Sequence, residues 1–425
     1  MTQGFPRYGW YGDDFTGATD TLATLSERGL RALLFLRAPA EKHLASAGQL
    51  DAIGIAGATR SMTPEAAAIE LDAAGRFFSA QGIDILHYKC CSTFDSAPHV
   101  GSLGVAIRTL WKHFPNPFVP VVGGQPNLGR YCLFGNLFAA AGGGEVHRID
   151  RHPTMSVHPV TPMAEADLRR HLAAQGLARI GLLDYRAYER GDADAILDGC
   201  LATNPDAVLF DVARASDLEV IGRLIAERAQ SAPLLAVGPS SVAQALTARG
   251  GFFGAGSKSV SQPERREGPV LALVGSLSPV TRGQVEAASG YARIDVDPLL
   301  LDDSAYTETL RQQTLGLLAS QNTMLVTRQP SDAPEGPDRI AGATGLLLRA
   351  IMADARLSRL VIAGGDTSSR AVAALDIWGL SYRAAMVPGA PLCEAHSDDP
   401  RLNGLEIVLK GGQMGPPDFF DVAEA

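Results

Sequence analysis

The sequence predicts an α/β fold of two domains, each with a mainly parallel sheet flanked by helices. Three observations predict it. Short apolar runs alternate with alanine- and leucine-rich helical stretches along most of the chain, and strands that alternate with helices build parallel sheets covered on both faces. The texture breaks at Gly251, where GFFGAGSKSVSQPERREGP is rich in Gly, Ser, Pro and charge and has no periodicity. Such a stretch marks a linker, here at 252–268, between a first domain at 1–251 and a second at 269–425. Finally, several strand ends run into glycine-rich turns, the places where open parallel sheets hold ligands.

Taken in order, the first domain opens on a strand that ends in GDDFTGATD. RALLFLR (31–37), AIGIAG (52–57), DILHYK (84–89), PFVPVVGG (117–124), ARIGLLD (178–184), AVLFDV (207–212) and PLLAVG (233–238) follow as strands. PEAAAIELDAAGRFFSAQG and DLRRHLAAQG have helical periodicity between them. Beyond the linker, VLALVGS, NTMLVTR, RLVIAGG and LEIVLKGG resume the strand pattern.

The 425 residues are 46% apolar and 20% charged, a globular composition with length for a core in each domain. No run of 18 or more apolar residues occurs, and MTQGFPRYGW lacks a charged start followed by an apolar stretch, so a cytoplasmic protein with no membrane partner is expected. A net charge of −9 without a basic stripe speaks against nucleic acid as a partner. The five cysteines, Cys90, Cys91, Cys132, Cys200 and Cys393, are scattered and odd in number, with no C-x-x-C pair. They read as reduced thiols and offer no zinc site. Trp10, Tyr11 and Phe15 are expected to pack, and Cys90 and Cys91 to be buried and inert.

Three turns of the second domain share one chemistry: VGSLSPVT (274–281), AGGDTSSR (363–370) and LKGGQMGPPDFF (409–420). Small residues expose backbone N–H groups, with the hydroxyls of Ser276, Ser278, Thr281, Thr367, Ser368 and Ser369 beside them, and glycine lets backbone approach an anion closely. A phosphate suits them. None matches the P-loop pattern, and no G-x-G-x-x-G follows a strand. One such turn alone reads most simply as a helix start with Asp or Thr as N-cap; three in one domain favour a ligand.

Asp13 and Asp14 pose the same choice. Asp14 can cap a helix starting near Thr16 with Asp13 as a solvated neighbour, or one carboxylate can accept a proton from a substrate hydroxyl while the other orients substrate or Mg²⁺. ATRS (58–61), KCCSTFDS (89–96) and GGQPNLGR (123–130) also follow strands and supply the cations Arg60, Lys89 and Arg130. Carboxylates, cations and hydroxyls together suit a polar, anionic, hydroxylated ligand. His152 and His158 in RHPTMSVHPVTP lack helical i, i+4 spacing, and a substrate-facing or connecting loop is the preferred reading over a metal site.

YGDDFTGATD resembles the A-D-D-x-T-G-A-x-D signature of the four-carbon acid sugar kinase family, which includes D-threonate, D-erythronate and 3-oxo-tetronate kinases. The resemblance continues through ATRSMTPEAA, GRYCLFGNLF, HPVTPMAEADL, VGSLSPVTRGQVEAA, AGGDTSSRAVAALDIWGL and VPGAPLCEAHSDDPRLNGLEIVLKGGQMGPPDFF, in the family's order. It implies an N-terminal domain that holds the sugar acid, a C-terminal domain that binds ATP, and an active site in the interdomain cleft. By the same resemblance Asp13, Asp14, Thr16 and Asp20 belong to the substrate and catalytic region. Ser276, Ser278, Gly364, Gly365, Asp366, Thr367 and Gly412 are then the nucleotide contacts.

One stretch departs from the family pattern. Where the family reads K-I-D-S-T-L-R-G, this chain reads KCCSTFDSAP: Lys89, Ser92 and Thr93 are kept, Cys91 stands for the acid and Asp95 for the arginine. Arginine to aspartate inverts the local charge, which points away from a plain tetronate and towards a branched or oxidised acid such as an oxo-isoapionate. The expectation is therefore ATP- and Mg²⁺-dependent phosphorylation of a terminal hydroxyl of a short sugar acid, with Asp14 as base and Asp13 orienting it. Arg60, Lys89 and Arg130 would receive the carboxylate, with Thr16, Asp20, Ser92 and Thr93 as further substrate contacts; the metal ligands stay unassigned. A non-catalytic sugar-acid or sugar-phosphate binding regulator is the alternative, and a homodimer is the assembly to be tested.

Overall fold

The computed structural model describes residues 7–142, 144–253, 267–276, 278–327, 337–364 and 370–424. The chain falls into two compact units, neither of them a single run of sequence. The first takes Met1–Asp13, Thr24–Leu33 and Ala40–Ser259; the second takes Asp14–Ala23, Leu34–Pro39 and Val260–Ala425. Most of the expected linker, 254–266, lies outside the described residues.

The first unit is built on parallel strands: β1 (Tyr8–Gly12), β3 (Ala52–Ala56), β4 (Ile85–Lys89), β5 (Pro120–Val122), β9 (Ile180–Leu183), β10 (Ala207–Phe210) and β11 (Leu234–Gly238), in the spatial order β3-β1-β4-β11-β5-β10-β9. Every residue of β1, β3, β4 and β11 is buried, so these strands read as continuous apolar runs rather than alternating ones. The helix Pro64–Ala80 starts at Thr63, whose side chain accepts the Ala66 N–H, with proline in its first turn; Ala67, Leu71, Ala74 and Phe78 form its buried stripe. Gly12 lies opposite both Ala56 and Lys89, and Lys89 lies opposite Gly238. This register brings the segments after β1, β3, β4 and β11 out at one level. A small antiparallel sheet of β6 (Arg130–Leu133), β7 (Asn136–Ala140) and β8 (Val146–Arg148) is the part of this unit that the sequence pattern does not announce.

The second unit carries β12 (Val270–Val274), β13 (Tyr291–Val296), β14 (Asn322–Thr327), β15 (Arg359–Ala363) and β18 (Glu406–Lys410) in the parallel order β13-β14-β12-β15-β18. β17 (Ala390–His396) continues it antiparallel to β18, and β16 (Gly379–Val387) pairs with β17. β2 (Ala32–Phe35) crosses the division between units, and its Leu34 and Phe35 pair with Leu380 and Gly379 of β16. Val274, Ala363 and Lys410 lie opposite one another, so the turns after β12, β15 and β18 also leave the sheet at one level. Among the described residues no helix is long and apolar enough to cross a membrane.

Candidate active site

In the first unit the aligned strand ends collect Asp13, Arg60 and Lys89. The Asp13 N–H donates to the Lys89 carbonyl at 2.9 Å and its carbonyl accepts the Arg60 N–H at 3.2 Å. Its carboxylate, 3% exposed, takes Arg60 on both oxygens, Nη2 to Oδ1 at 3.0 Å and Nε to Oδ2 at 3.3 Å. Lys89 is buried, and its Nζ donates to the Cys90 carbonyl at 2.8 Å. Asp13 is therefore an ion-paired residue that fixes Arg60, not a solvated neighbour.

The KCCSTFDS turn folds back beside them. Ser92 and Thr93 are buried; Thr93 Oγ1 donates to Asp95 Oδ1 at 2.6 Å and lies 3.0 Å from Cys91 Sγ. Burial alone would raise the Asp95 carboxyl. The Arg60 charge, hydrogen bonds from Thr93 and Cys91, and the His158 charge outweigh it and hold it at about 2. Asp95 is thus a stable carboxylate where the family pattern has a cation. Cys91 differs from the expectation of a buried packing thiol: it is half-buried and faces a hydroxyl and a carboxylate, its thiol pushed up to about 11 by burial first and Asp95 second.

Arg130, the first residue of β6, completes this cluster. It is 7% exposed, its Nη1 donates to the Leu128 carbonyl, and its Nε is buried with no hydrogen-bond partner among the described residues. Burial lowers its guanidinium, and the Cys91 and Asp95 charges oppose that shift. His152 proves to be a loop cap, its Nδ1 accepting the Thr154 and Met155 N–H groups at 3.1 and 3.2 Å. His158 Nδ1 accepts the Thr161 N–H at 3.1 Å, and its ring lies within the field of Asp95.

Asp14 begins the segment counted with the second unit. It caps α1 (Phe15–Glu27): Oδ1 accepts the Gly17 N–H at 2.8 Å. The capping reading of Asp14 is therefore correct as structure, and it does not exclude the chemical reading. Thr16 is 7% exposed, and its Oγ1 is buried without a partner among the described residues. Asp20 lies half-buried one turn further along α1. The Thr16 methyl would sit 3.7 Å from a Cβ built on Gly411, so this end of α1 abuts the turn after β18.

That turn meets the one after β12. Gly275 and Ser276 N–H groups donate to the Ala363 carbonyl at 3.0 and 3.1 Å, and Gly364 N–H donates to the Lys410 carbonyl at 2.8 Å. Ser278 caps α2 (Pro279–Ala287) through the Val280 N–H, and its own N–H donates to Ser276 Oγ at 3.3 Å. A Cβ on Gly412 would fall 2.6 Å from Ser276 Oγ and 3.3 Å from Ser278 Cβ, so a side chain there would have to displace the Ser276 hydroxyl. Ser276, Ser278, Gly364 and Gly412 are thus brought together, whereas Gly365, Asp366 and Thr367 lie outside the described residues. Sequence reasoning passed over Lys410, the fully buried last residue of β18, whose Nζ donates to Thr281 Oγ1 at 2.8 Å. Its one signal was a lysine closing the apolar run EIVLK ahead of a glycine pair.

Comparison with known proteins follows the same division of labour. Residues 8–246 match a family model described as a sugar-binding N-terminal domain, and residues 271–420 one described as a nucleotide-binding C-terminal domain. A 3-oxo-isoapionate kinase of Paraburkholderia graminis is 38% identical over 436 residues, covering 97% of this chain and 92% of that one. A 3-oxo-tetronate kinase of Cupriavidus necator is 31% identical, covering 98% and 96%. The crystal structure of a Haemophilus influenzae protein, 26% identical, aligns over 98% of this chain and 99% of its own with a TM-score of 0.70.

Proposed function

The chain belongs to the four-carbon acid sugar kinase family, and from that premise we infer that it transfers the terminal phosphoryl group of ATP to a terminal hydroxyl of a short sugar acid, with 3-oxo-isoapionate as the preferred substrate. Arg130 carries the reading. A buried donor left unpaired is costly, and a guanidinium whose Nε has no partner among the described residues suits an acceptor from outside them, which a substrate carboxylate supplies in a fork geometry. Arg60 is engaged by Asp13 and faces Asp95, and Lys89 is tied to the Cys90 carbonyl, so Arg130 is the principal grip and the other two cations support it.

Asp95 then accepts hydrogen bonds from the substrate, in place of the arginine that would grip a tetronate. Asp14 accepts the proton of the attacking hydroxyl, while Asp13, with both oxygens on Arg60, orients that guanidinium. Ser276, Ser278, Gly364 and Gly412 present small side chains and backbone to the nucleotide phosphates, joined by Gly365, Asp366 and Thr367 from the turn after β15. Mg²⁺ bound with ATP would neutralise charge on the transferring group, and one or two protein oxygens would suffice to hold it. The Thr16 hydroxyl, which has no partner among the described residues, and Asp20 one turn further along α1 are the groups that would hold it. Among the described residues no group of three or more His, Cys, Asp or Glu could hold a metal by itself.

The test is ATP consumption with a panel of acids. 3-Oxo-isoapionate is expected to show the highest kcat/KM, with D-threonate and D-erythronate about ten- to hundredfold lower, the worth of one charged hydrogen bond. Efficient use of D-threonate would show that Asp95 is neutral to specificity. No turnover with any acid, alongside tight binding of one, would favour the non-catalytic regulator.

A further inference from the structure

The turn after β18 has its carbonyl oxygens gathered on its inner side by three buried side chains. Lys410 Nζ donates to the Gly411 carbonyl at 3.0 Å, and Thr281 Oγ1, itself the acceptor of Lys410 Nζ, donates to the Gly412 carbonyl at 2.7 Å. Gln284 Nε2 lies 3.0, 3.0 and 2.8 Å from the carbonyls of Met414, Gly415 and Pro416. Lys410 and Thr281 are 0% exposed and Gln284 1%. A trans peptide is planar, with its N–H opposite its C=O, and among the described residues no peptide is cis. Tying down the Gly411 and Gly412 carbonyls therefore directs the N–H groups of Gly412 and Gln413 away from Lys410 and Thr281, and Gly412 lies beside Ser276.

We propose that Lys410 is the positioning residue of the nucleotide turn: directly at Gly411, and through Thr281 at Gly412, it fixes two peptides so that their N–H groups face the phosphates of ATP. This rests on the reading that the turn takes the nucleotide. A buried ammonium is an expensive way to hold a loop. Burial brings Lys410 down to about 7, and among the described residues it has no carboxylate partner, only the Thr281 hydroxyl, the Gly411 carbonyl and the Phe419 ring 5.5 Å away. A methionine would fill the same space beneath Phe419 without that cost. A cation at this position adds positive charge directly behind the two donors, which a loop needing only packing would not require.

The experiment compares Lys410→Met, Thr281→Val and Gly412→Val with wild type, reading the affinity for the Mg²⁺ complex of a non-hydrolysable ATP analogue by calorimetry, the separate KM values for ATP and sugar acid, and the melting temperature. Lys410→Met should weaken nucleotide binding by about ten- to hundredfold, the worth of charged hydrogen bonds. The KM for ATP should rise with it while the KM for the sugar acid stays near wild type, and the melting temperature should be unchanged or higher. Thr281→Val should show a smaller loss of the same kind, and it decides the matter if Lys410→Met does not fold. Wild-type nucleotide affinity in a folded Lys410→Met, or in Thr281→Val where that one fails, overturns the proposal. So does a parallel loss of sugar-acid affinity and melting temperature, which marks a merely structural residue. Gly412→Val separates the two levels: if it too binds nucleotide as wild type does, the turn is not the nucleotide site and the reading beneath the proposal falls with it.

Discussion

Asp14→Asn is expected to lower turnover at saturating substrates by about 10²- to 10⁴-fold, the range for a removed general base. Asparagine keeps the shape of the side chain and accepts the Gly17 N–H as aspartate does at 2.8 Å, and the two residues cap helices about equally, so the melting temperature should stay near wild type. A residue that did nothing but cap would give a variant with near-normal turnover. Retention of more than about a tenth of wild-type turnover, short of the losses typical of a missing base, removes Asp14 from the chemistry. Asp13→Asn is the informative companion. Its carboxylate fixes Arg60 through two contacts, so its loss should fall on the KM of the sugar acid as well as on the rate.

Arg130→Met should raise the KM of the sugar acid by about 30- to 1,000-fold, the span for losing one member of a buried charge pair, and leave the KM of ATP near wild type. The free protein should tolerate the change better than most buried substitutions. The group removed is a desolvated guanidinium with an unpaired Nε, so its deletion relieves a cost while methionine fills the space. A KM for the acid that stays within about threefold of wild type, well below what a charged hydrogen bond is worth, would place the carboxylate elsewhere, with Lys89 and Arg60 the next to be changed.

Strands that are buried on both faces are the easiest to read in a sequence, and here the apolar runs 52–57, 84–89, 207–212 and 233–238 coincide with β3, β4, β10 and β11. The site residues were legible for a related reason. In a parallel sheet the chemistry gathers just after the strands, and the register that puts Gly12 opposite Lys89, and Ala363 opposite both Val274 and Lys410, turns a list of separate sequence positions into neighbours. What could not be read depends on distant partners. The β6–β7 hairpin turns on Phe134 and Gly135 at φ 53° and 79°, a pair that carries no Asn-Gly or Asp-Gly signal. It is held by the buried Asp211 carboxylate, which accepts their N–H groups at 2.5 and 2.9 Å from far along the chain. Lys410 escaped for the same reason: nothing in EIVLK tells a strand-ending surface lysine from one buried against Thr281.

β16 owes its outer neighbour to a piece of chain from far upstream: Leu34 and Phe35 pair with it, the Leu36 N–H donates to the Trp378 carbonyl at 3.1 Å, and Phe35 stacks on Trp378 at 5.9 Å. A protein engineer who cuts at 252–268 and expresses 269–425 alone would therefore produce a sheet with a raw rim. The end of β16 that pairs with that upstream piece, Gly379 and Leu380, would offer unmatched backbone donors and acceptors to any other copy, and exposed strand rims of this kind drive self-association. Such a fragment should elute as soluble oligomers or precipitate, whereas one carrying residues 14–39 joined ahead of residue 260 should run as a well-behaved species by light scattering. The second unit is for that reason not separable by a single cleavage: part of what completes its sheet is encoded ahead of most of the first unit.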